Sequence, residues 1–133
     1  MSQENVERVR AAIDGYNREG PESFFALLDP EVEWITDRSD LGRTTSHGLD
    51  GVRKSFEELY EAVPDLQFEI NELRDAGERV IALGQLRGRF RATGIEGRHP
   101  IGLVLTVGAS GKLVRYESFL DPLKALESVG LSE

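Results

Sequence analysis

Two carboxylates occupy positions from which an acid or base could act. Glu117 is the one acid in the middle of KLVRYESFLD at 112–121, a segment that alternates like a strand. Asp37 opens a polar stretch, DRSDLGRTTSHG at 37–48. A carboxylate in a dry site can abstract a proton or activate water if a donor stabilises the developing oxyanion. Asp37 and Glu117 are therefore the catalytic candidates.

Each acidic candidate also has an ordinary structural explanation. Glu117 is equally consistent with a salt-bridged carboxylate on the outer face of its strand. His47 and Asp40 lie in the same polar stretch as Asp37, and a histidine–aspartate pair there would titrate near neutral pH. The stretch also has the composition of an exposed loop, because loops are mostly polar for reasons of solvation. Asp121 is best explained as a helix cap.

Alternation along the last strand assigns its residues to two faces. Val114, Tyr116, Ser118 and Leu120 form the less charged set, so this face is predicted to line an internal cavity. Tyr116 could donate a hydrogen bond there, or be an ordinary half-buried strand residue. Ser118 could orient a ligand, or be a packed serine bonded to backbone. A register error of one residue would exchange the two faces and bring Glu117 inside.

The strand predicted from Val80 to about Arg91 changes character along one face. Leu83 is followed on that face by Gln85 and Arg87, so we expect it to run from the core to an opening. The guanidinium fork of Arg87 could hold a carboxylate or an enolate-like oxygen. A solvated basic stripe is the alternative. Interior glycines of this strand predict bends or close backbone approach, as in a strongly curved sheet.

Apolar periodicity and turn residues give the order of the elements. Helices come first, then a strand, a loop, a helix and a four-strand antiparallel meander, which is an α+β arrangement and not a βαβ one. The predicted elements are a helix over Gln3–Arg18, a short helix around 24–28, a strand at 32–36, a loop at 37–48, a helix capped by Asp50, strands between 66 and 121, and a closing helix that begins at Pro122.

Size and composition narrow the class of protein. The chain of 133 residues is long enough for one domain, residues 1–133, and its net charge of −8 argues against nucleic-acid binding. It has no apolar stretch long enough to span a membrane and no apolar signal region, so a cytoplasmic protein is expected. The two histidines, His47 and a rim candidate, His99, lack metal-ligand spacing, and there is no cysteine. We therefore expect neither a metal nor a cofactor.

Three segments in this order resemble the SnoaL-like branch of the nuclear transport factor 2-like superfamily. They are DPEVEW at 29–34, HGLDGVRKSF at 47–56 and GKLVRYESFLDPLKALESVGL at 111–131. The resemblance implies a cone-shaped, cystatin-like α+β fold, in which a curved antiparallel sheet wraps around N-terminal helices and encloses a central cavity. It also implies a homodimer formed across the outer face of the sheet. Apolar residues on both sides of the strands over 98–121 agree with that, because an exposed apolar face would need cover.

The family includes polyketide cyclases, ketosteroid isomerases and epoxide hydrolases. The enzymes of the family use an acidic residue in the cavity. Epoxide-hydrolase relatives carry an aspartate at about the position of Ser118. The serine in its place here argues against epoxide hydrolysis. The expected function is binding of a small, mostly apolar cyclic molecule. The alternatives are a cofactor-independent isomerase, cyclase or hydrolase that uses a pocket carboxylate, and a dimerisation module whose cavity is filled. The predicted pocket residues are Tyr16, Trp34, Phe56, Tyr60, Leu83, Gln85, Arg87, Leu103, Tyr116 and Ser118.

Overall fold

The computed structural model of the chain describes residues 2–38 and 42–131. Asp40, one of the acids considered as a partner for His47, lies outside these described residues. None of the described helices is long and apolar enough to cross a membrane. The elements follow in the order α1 Ser2–Glu19, α2 Pro21–Phe25, β1 Leu28–Arg38, β2 Gly42–His47, α3 Gly48–Ala62, β3 Gln67–Ala76, β4 Arg79–Arg89, β5 Glu96–Val107, β6 Leu113–Phe119 and α4 Pro122–Ser128.

The six strands form one curved, open sheet in the order β2-β1-β6-β5-β4-β3. Strands β3 to β6 make the predicted antiparallel meander, and β1 joins it in parallel alongside β6. The predicted α+β fold with a curved sheet is therefore confirmed. The prediction of a loop over 37–48 is wrong, because β1 continues to Arg38 and β2 pairs with it. Strand β2 is a mostly exposed edge strand, so it lacks the apolar alternation that reveals a half-buried strand.

Helices α1 and α3 lie on the concave face of the sheet, where α1 packs against β3 and α3 packs against β1. The apolar residues that recur at helical spacing in α1 form a buried stripe: Val6, Val9, Ile13 and Tyr16 belong to the main hydrophobic core. Helix α3 begins directly after His47, and Asp50 lies in its first turn. The prediction that Asp50 caps this helix is therefore wrong.

Helix α4 covers part of the opposite, convex face. As predicted, the side chain of Asp121 caps it by accepting a hydrogen bond of 3.0 Å from the amide of Leu123. Leu126 is buried against the sheet, whereas Leu123, in the first turn of α4, is 46% exposed. Because α4 covers a second apolar cluster on this face, the apolar residues there need no second subunit to bury them. The homodimer stays a prediction. The residues of this cluster are Ile81, Val104, Phe119, Ala125 and Leu126.

Two glycines in β4 let neighbouring segments approach the sheet closely, as their positions predict. A Cβ atom added to Gly84 would lie 2.0 Å from the carbonyl oxygen of Glu69, opposite the register shift between Ile70 and Glu72. A Cβ atom added to Gly88 would lie 2.2 Å from the side chain of Val63. Both contacts require glycine, because real Cβ atoms do not come so close. They let β3 approach β4 closely and let the end of α3 pack against the concave face.

Candidate functional site

An open cavity of about 780 Å³ lies between α3 and the concave face of the sheet. This volume falls in the range of about 300–1,000 Å³ that is usual for small-molecule sites. Most of its wall is apolar, but the charged side chains of Asp37, Glu58 and Arg98 also line it, together with His99 and several hydroxyl groups. The lining residues are Trp34, Thr36, Asp37, Ser55, Phe56, Glu58, Leu59, Ala62, Val63, Leu66, Phe68, Leu86, Gly88, Phe90, Gly97, Arg98, His99, Ile101, Tyr116, Ser118 and Leu120.

The floor of the cavity is a stacked pair of aromatic rings. Parallel pairing of β1 with β6 places Trp34 directly beside Tyr116. Their ring centroids are 3.7 Å apart and their planes differ by 7°. The ring of Phe56, from α3, lies 5.4 Å from Trp34 and forms a tilted side wall. These three predicted pocket residues therefore meet in one aromatic cluster that borders the cavity.

Two hydroxyl groups lie beside this floor. Tyr116 and Ser118 are both buried and project from the same face of β6, and their hydroxyl groups lie close enough to interact. Burial raises the pKa of Tyr116 well above its usual value, so its phenol keeps its proton at neutral pH. The predicted orientation of this face is confirmed for Tyr116, Ser118 and Leu120, which line the cavity. It is wrong for Val114: the register of β6 shifts at this point, so Leu113 belongs to the main core and Val114 is only half-buried. The structure pairs the Ser118 hydroxyl with Tyr116, which neither sequence alternative for this serine included.

The other two tyrosines, Tyr16 and Tyr60, form a pair that closes one end of the core. The Tyr16 hydroxyl donates to the carbonyl oxygen of Leu66 at 3.3 Å, and Tyr60 hydrogen-bonds to Tyr16. Burial raises the pKa of both tyrosines. Tyr16 and Leu103 border a void of about 10 Å³, which has room for about one water molecule. Of the predicted pocket residues, Tyr16, Tyr60 and Leu103 thus lie at the closed end, outside the large cavity.

Three predicted pocket residues lie on the convex face of the sheet, away from the cavity. Leu86 lines the cavity, so its strand neighbours Gln85 and Arg87 point to the convex face. There Arg87 donates to Glu69 at 2.9 Å, and Leu83 packs against the α4 cluster. The prediction that Leu83, Gln85 and Arg87 line the pocket is therefore wrong. The face that changes from apolar to polar does so because α4 covers only its first part.

The two catalytic candidates are held by one arginine, Arg43, on β2. Its Nη1 donates to Asp37 Oδ1 at 2.7 Å and to the carbonyl of Ser118 at 3.2 Å. Its Nη2 lies 3.4 Å from Glu117 Oε2, and its guanidinium lies 4.3 Å above the ring of Phe119. Arg43 was not among the predicted site residues, because the polar stretch that contains it has the composition of a loop. Recognition of a β-hairpin that pairs residues 37 and 43 would have placed Arg43 beside Asp37.

The two carboxylates differ in their position relative to the cavity. Asp37 borders it, but its second oxygen accepts the backbone N–H of Leu120 at 3.1 Å. Asp37 therefore joins β1 to the end of β6. Glu117 lies on the convex face, as one of the two sequence interpretations expected, and pairs there with Arg115 at 3.3 Å as well as with Arg43. The two acids meet at Arg43 and not inside the pocket.

The histidines occupy different regions. His47 lies 3.9 Å from Glu31, at the opposite end of the β1–β2 hairpin from Asp37, so the two do not form a pair. His99 lies at the cavity mouth, and its Nδ1 is 2.6 Å from the carbonyl oxygen of Pro100. Within residues 2–38 and 42–131, no three histidine, aspartate or glutamate side chains are grouped so that they could hold a metal ion.

Several solved structures share this architecture. An NTF2-like protein of unknown function from Burkholderia pseudomallei is 22% identical, with 96% of this chain and 98% of that one covered and a TM-score of 0.78. An NTF2-like protein from Burkholderia thailandensis is 29% identical, with 91% and 95% covered and a TM-score of 0.76. TerC, co-crystallized with polyporic acid, is 21% identical, with 95% and 98% covered and a TM-score of 0.77.

The comparison with protein families agrees with the fold. No curated protein matches the chain significantly. The SnoaL-like domain model matches residues 9–116, which run from the core stripe of α1 to the tyrosine at the cavity floor. The chain therefore belongs to the SnoaL-like domain family.

Proposed function

We propose that this protein binds a flat, mostly apolar cyclic small molecule in the cavity between α3 and the sheet. The observation that carries the proposal is the open cavity of about 780 Å³ with the stacked Trp34–Tyr116 pair as its floor. Such a surface favours a planar ring system, because aromatic rings gain from offset stacking and from burial of their faces. The cavity is wide enough for several fused or linked rings.

The polar groups of the cavity support a binding role. The Tyr116–Ser118 hydroxyl pair supplies one polar anchor beside the apolar floor. Few polar groups of fixed position are the usual source of orientation in such pockets. The organic ligand with which TerC was co-crystallized also supports the choice of a small organic molecule, since TerC shares the fold.

The test uses Trp34, the only tryptophan in the chain, as a reporter of the cavity. Titration with biphenyl-4-ol is expected to change the tryptophan emission saturably, with one molecule bound per chain. Leu120→Arg places a charge in the cavity wall and is expected to weaken binding by roughly tenfold or more. Leu123→Arg is the matched control, because Leu123 is exposed on α4 and is expected to leave binding unchanged.

Two results would contradict the proposal. The first is an emission that does not change up to the solubility limit of the probe, with calorimetry that also shows no heat of binding. The second is equal weakening by Leu120→Arg and Leu123→Arg. Circular dichroism and urea unfolding of both variants would confirm that each is folded before binding is compared.

A cofactor-independent enzyme that acts by proton transfer is the second candidate, as an isomerase, a polyketide cyclase or an epoxide hydrolase. One observation favours it: Asp37 is among the residues that border the cavity. Turnover of lactone, epoxide or enone substrates that is lost in Asp37→Asn and kept in Glu117→Gln would support it. Equal turnover in both variants would remove Asp37 as the base, and lack of turnover by the unmodified protein would remove this candidate for those substrates.

A further inference from the structure

One wall of the cavity runs from the hydroxyl pair to the mouth along the inward-facing residues of β5. Leu103 pairs with Ser118, and Ile101 and His99 follow at two-residue steps toward the mouth. Residues two apart on a strand share a face. His99 lies four positions from Leu103, and at about 3.3 Å per position the two are roughly 13 Å apart. Ser118 and His99 therefore lie near opposite ends of this wall.

The wall between these two ends is apolar. Leu86 pairs with His99 across β4 and β5 and lines the cavity beside it. Ile101 and Leu120 also line the cavity between the hydroxyl pair and the mouth, and Phe68 faces it from β3. A molecule that lies along this wall meets hydrogen-bonding groups at its two ends and hydrocarbon in between.

The contact between His99 and Pro100 sets the role of the imidazole. A carbonyl oxygen only accepts hydrogen bonds, so the Nδ1 that lies 2.6 Å from the Pro100 oxygen carries the hydrogen. In the neutral imidazole Nε2 is then the acceptor. Nε2 has no partner among the described residues. His99 is an exposed residue that lines the cavity, so its neutral imidazole offers a hydrogen-bond acceptor at the mouth.

We propose that the ligand is an elongated ring system with a hydroxyl group at each end, one donating to His99 Nε2 and the other hydrogen-bonded to the Tyr116–Ser118 pair. This inference rests on the proposed binding function and names the class of ligand. The spacing of the two ends fits a molecule with hydroxyl oxygens roughly 8 to 13 Å apart, once the reach of the hydrogen bonds is allowed for. His99 is on this account a ligand-contacting residue that selects for a second hydroxyl.

The experiment compares biphenyl-4,4′-diol with biphenyl-4-ol by calorimetry. The unmodified protein is expected to bind the diol roughly fivefold more tightly, which is the usual effect of one added hydrogen bond. His99→Ala is expected to remove this advantage, so that the variant binds the two probes equally tightly. His47→Ala, at the only other histidine, is expected to keep the full advantage.

Nitrogen NMR distinguishes a histidine that contacts the ligand from a merely structural one, because only the first changes its Nε2 signal when the ligand binds. With His47→Ala as the background, the one remaining imidazole is expected to show a protonated Nδ1 and an unprotonated Nε2, and the diol is expected to shift the Nε2 signal. Equal binding of the two probes, or a diol advantage that survives His99→Ala, would overturn this inference and leave the proposed function standing. Failure of both probes to bind would overturn the two together.

Discussion

The two faces of strands β4, β5 and β6 carry different chemistry although their residues alternate along the same segments. The concave face carries the hydroxyl pair and the apolar wall of the cavity. The convex face carries the α4 cluster and, beyond it, ion pairs such as Arg43–Glu117 and Arg87–Glu69. Consecutive residues therefore differ in role: Glu117 braces the convex face, whereas Ser118 faces the cavity.

The difference between the two faces shows where charged side chains lie in this fold. The two carboxylates best placed for catalysis share one arginine, which ties β1, β2 and β6 together. The cavity side of β6 keeps only neutral hydroxyl groups. A carboxylate already engaged by an arginine is a structural brace, whereas a buried neutral hydroxyl can exchange its partner for a ligand. The following predictions test this division, beginning with the largest expected effect.

The concave face depends on close backbone approach at Gly84. Gly84→Ala would place its Cβ atom against the carbonyl of Glu69, and we expect the free energy of unfolding to fall by about 3 kcal/mol. Gly51→Ala in α3 is the control, because its nearest contact is the Ser46 side chain at 3.1 Å and alanine favours the helix; the expected change is below about 1 kcal/mol. Urea unfolding measures both. Similar values for the two would contradict the importance of this approach.

The brace on the convex face depends on Arg43. Arg43→Ala leaves Asp37 and Glu117 without their shared cation, and we expect a loss of about 1–2 kcal/mol in the free energy of unfolding. Arg53→Ala is a matched control. Arg53 also pairs with one carboxylate, Glu22, and lies 4.7 Å above a ring, but its partner is exposed. Its expected loss is below about 1 kcal/mol.

Equal losses of unfolding free energy in the two arginine variants would show that the ion pairs of Arg43 stabilise the fold no more than an ordinary surface ion pair does. A loss in Arg43→Ala that disappears in high salt would lead to the same conclusion, because salt screens exposed pairs. We expect most of the Arg43 effect to persist, since its bonds to the Ser118 carbonyl and its contact with Phe119 do not depend on the charges of the two acids.

Adjacent residues of β6 separate binding from stability. Ser118→Ala is expected to weaken binding of biphenyl-4-ol by roughly threefold to fivefold, because it removes half of the hydroxyl pair. Glu117→Gln is expected to change this affinity by less than about twofold, because Glu117 lies on the other face. Calorimetric titration of both variants measures the difference. A stronger effect from Glu117→Gln would show that the face assignment does not describe the binding site.

The smallest expected effect is the pH dependence of the three tyrosines. Burial raises the pKa of Tyr16, Tyr60 and Tyr116, so the folded state holds these protons more tightly than the unfolded state does. Stability is therefore unaffected below about pH 10 and falls as the pH rises above it toward the raised values. Ultraviolet titration should show little tyrosinate near pH 10 in the folded protein and full ionisation in urea. Ordinary titration of all three in the folded protein would contradict their burial.

The sequence predicted the fold and the cavity face of β6 for physical reasons that the structure confirms. The less charged residues of that strand, Tyr116 and Ser118, face inward because charge is costly to bury. The same reasoning failed on β4, because α4 covers the start of its convex face and makes Leu83 look like a core residue. Only the packing of a helix from the far end of the chain distinguishes the two cases.

The role of Arg43 could not be predicted without strand β2. An exposed edge strand has polar residues on both faces, so its sequence resembles that of a loop. The pairing that places Arg43 opposite Asp37 is a property of the hairpin and not of either residue. His99 was expected near the rim. Its hydrogen-bonding role depends on a contact with Pro100 that spacing alone does not reveal.

The most direct test of the central claim is a crystal structure of the protein soaked with biphenyl-4-ol. The account predicts ordered density for the two rings against Trp34 and Tyr116, with the hydroxyl within hydrogen-bond distance of the Tyr116–Ser118 pair. A probe bound elsewhere, or a cavity filled by protein side chains with no density for the probe at saturating concentration, would contradict the claim that this cavity is a small-molecule site.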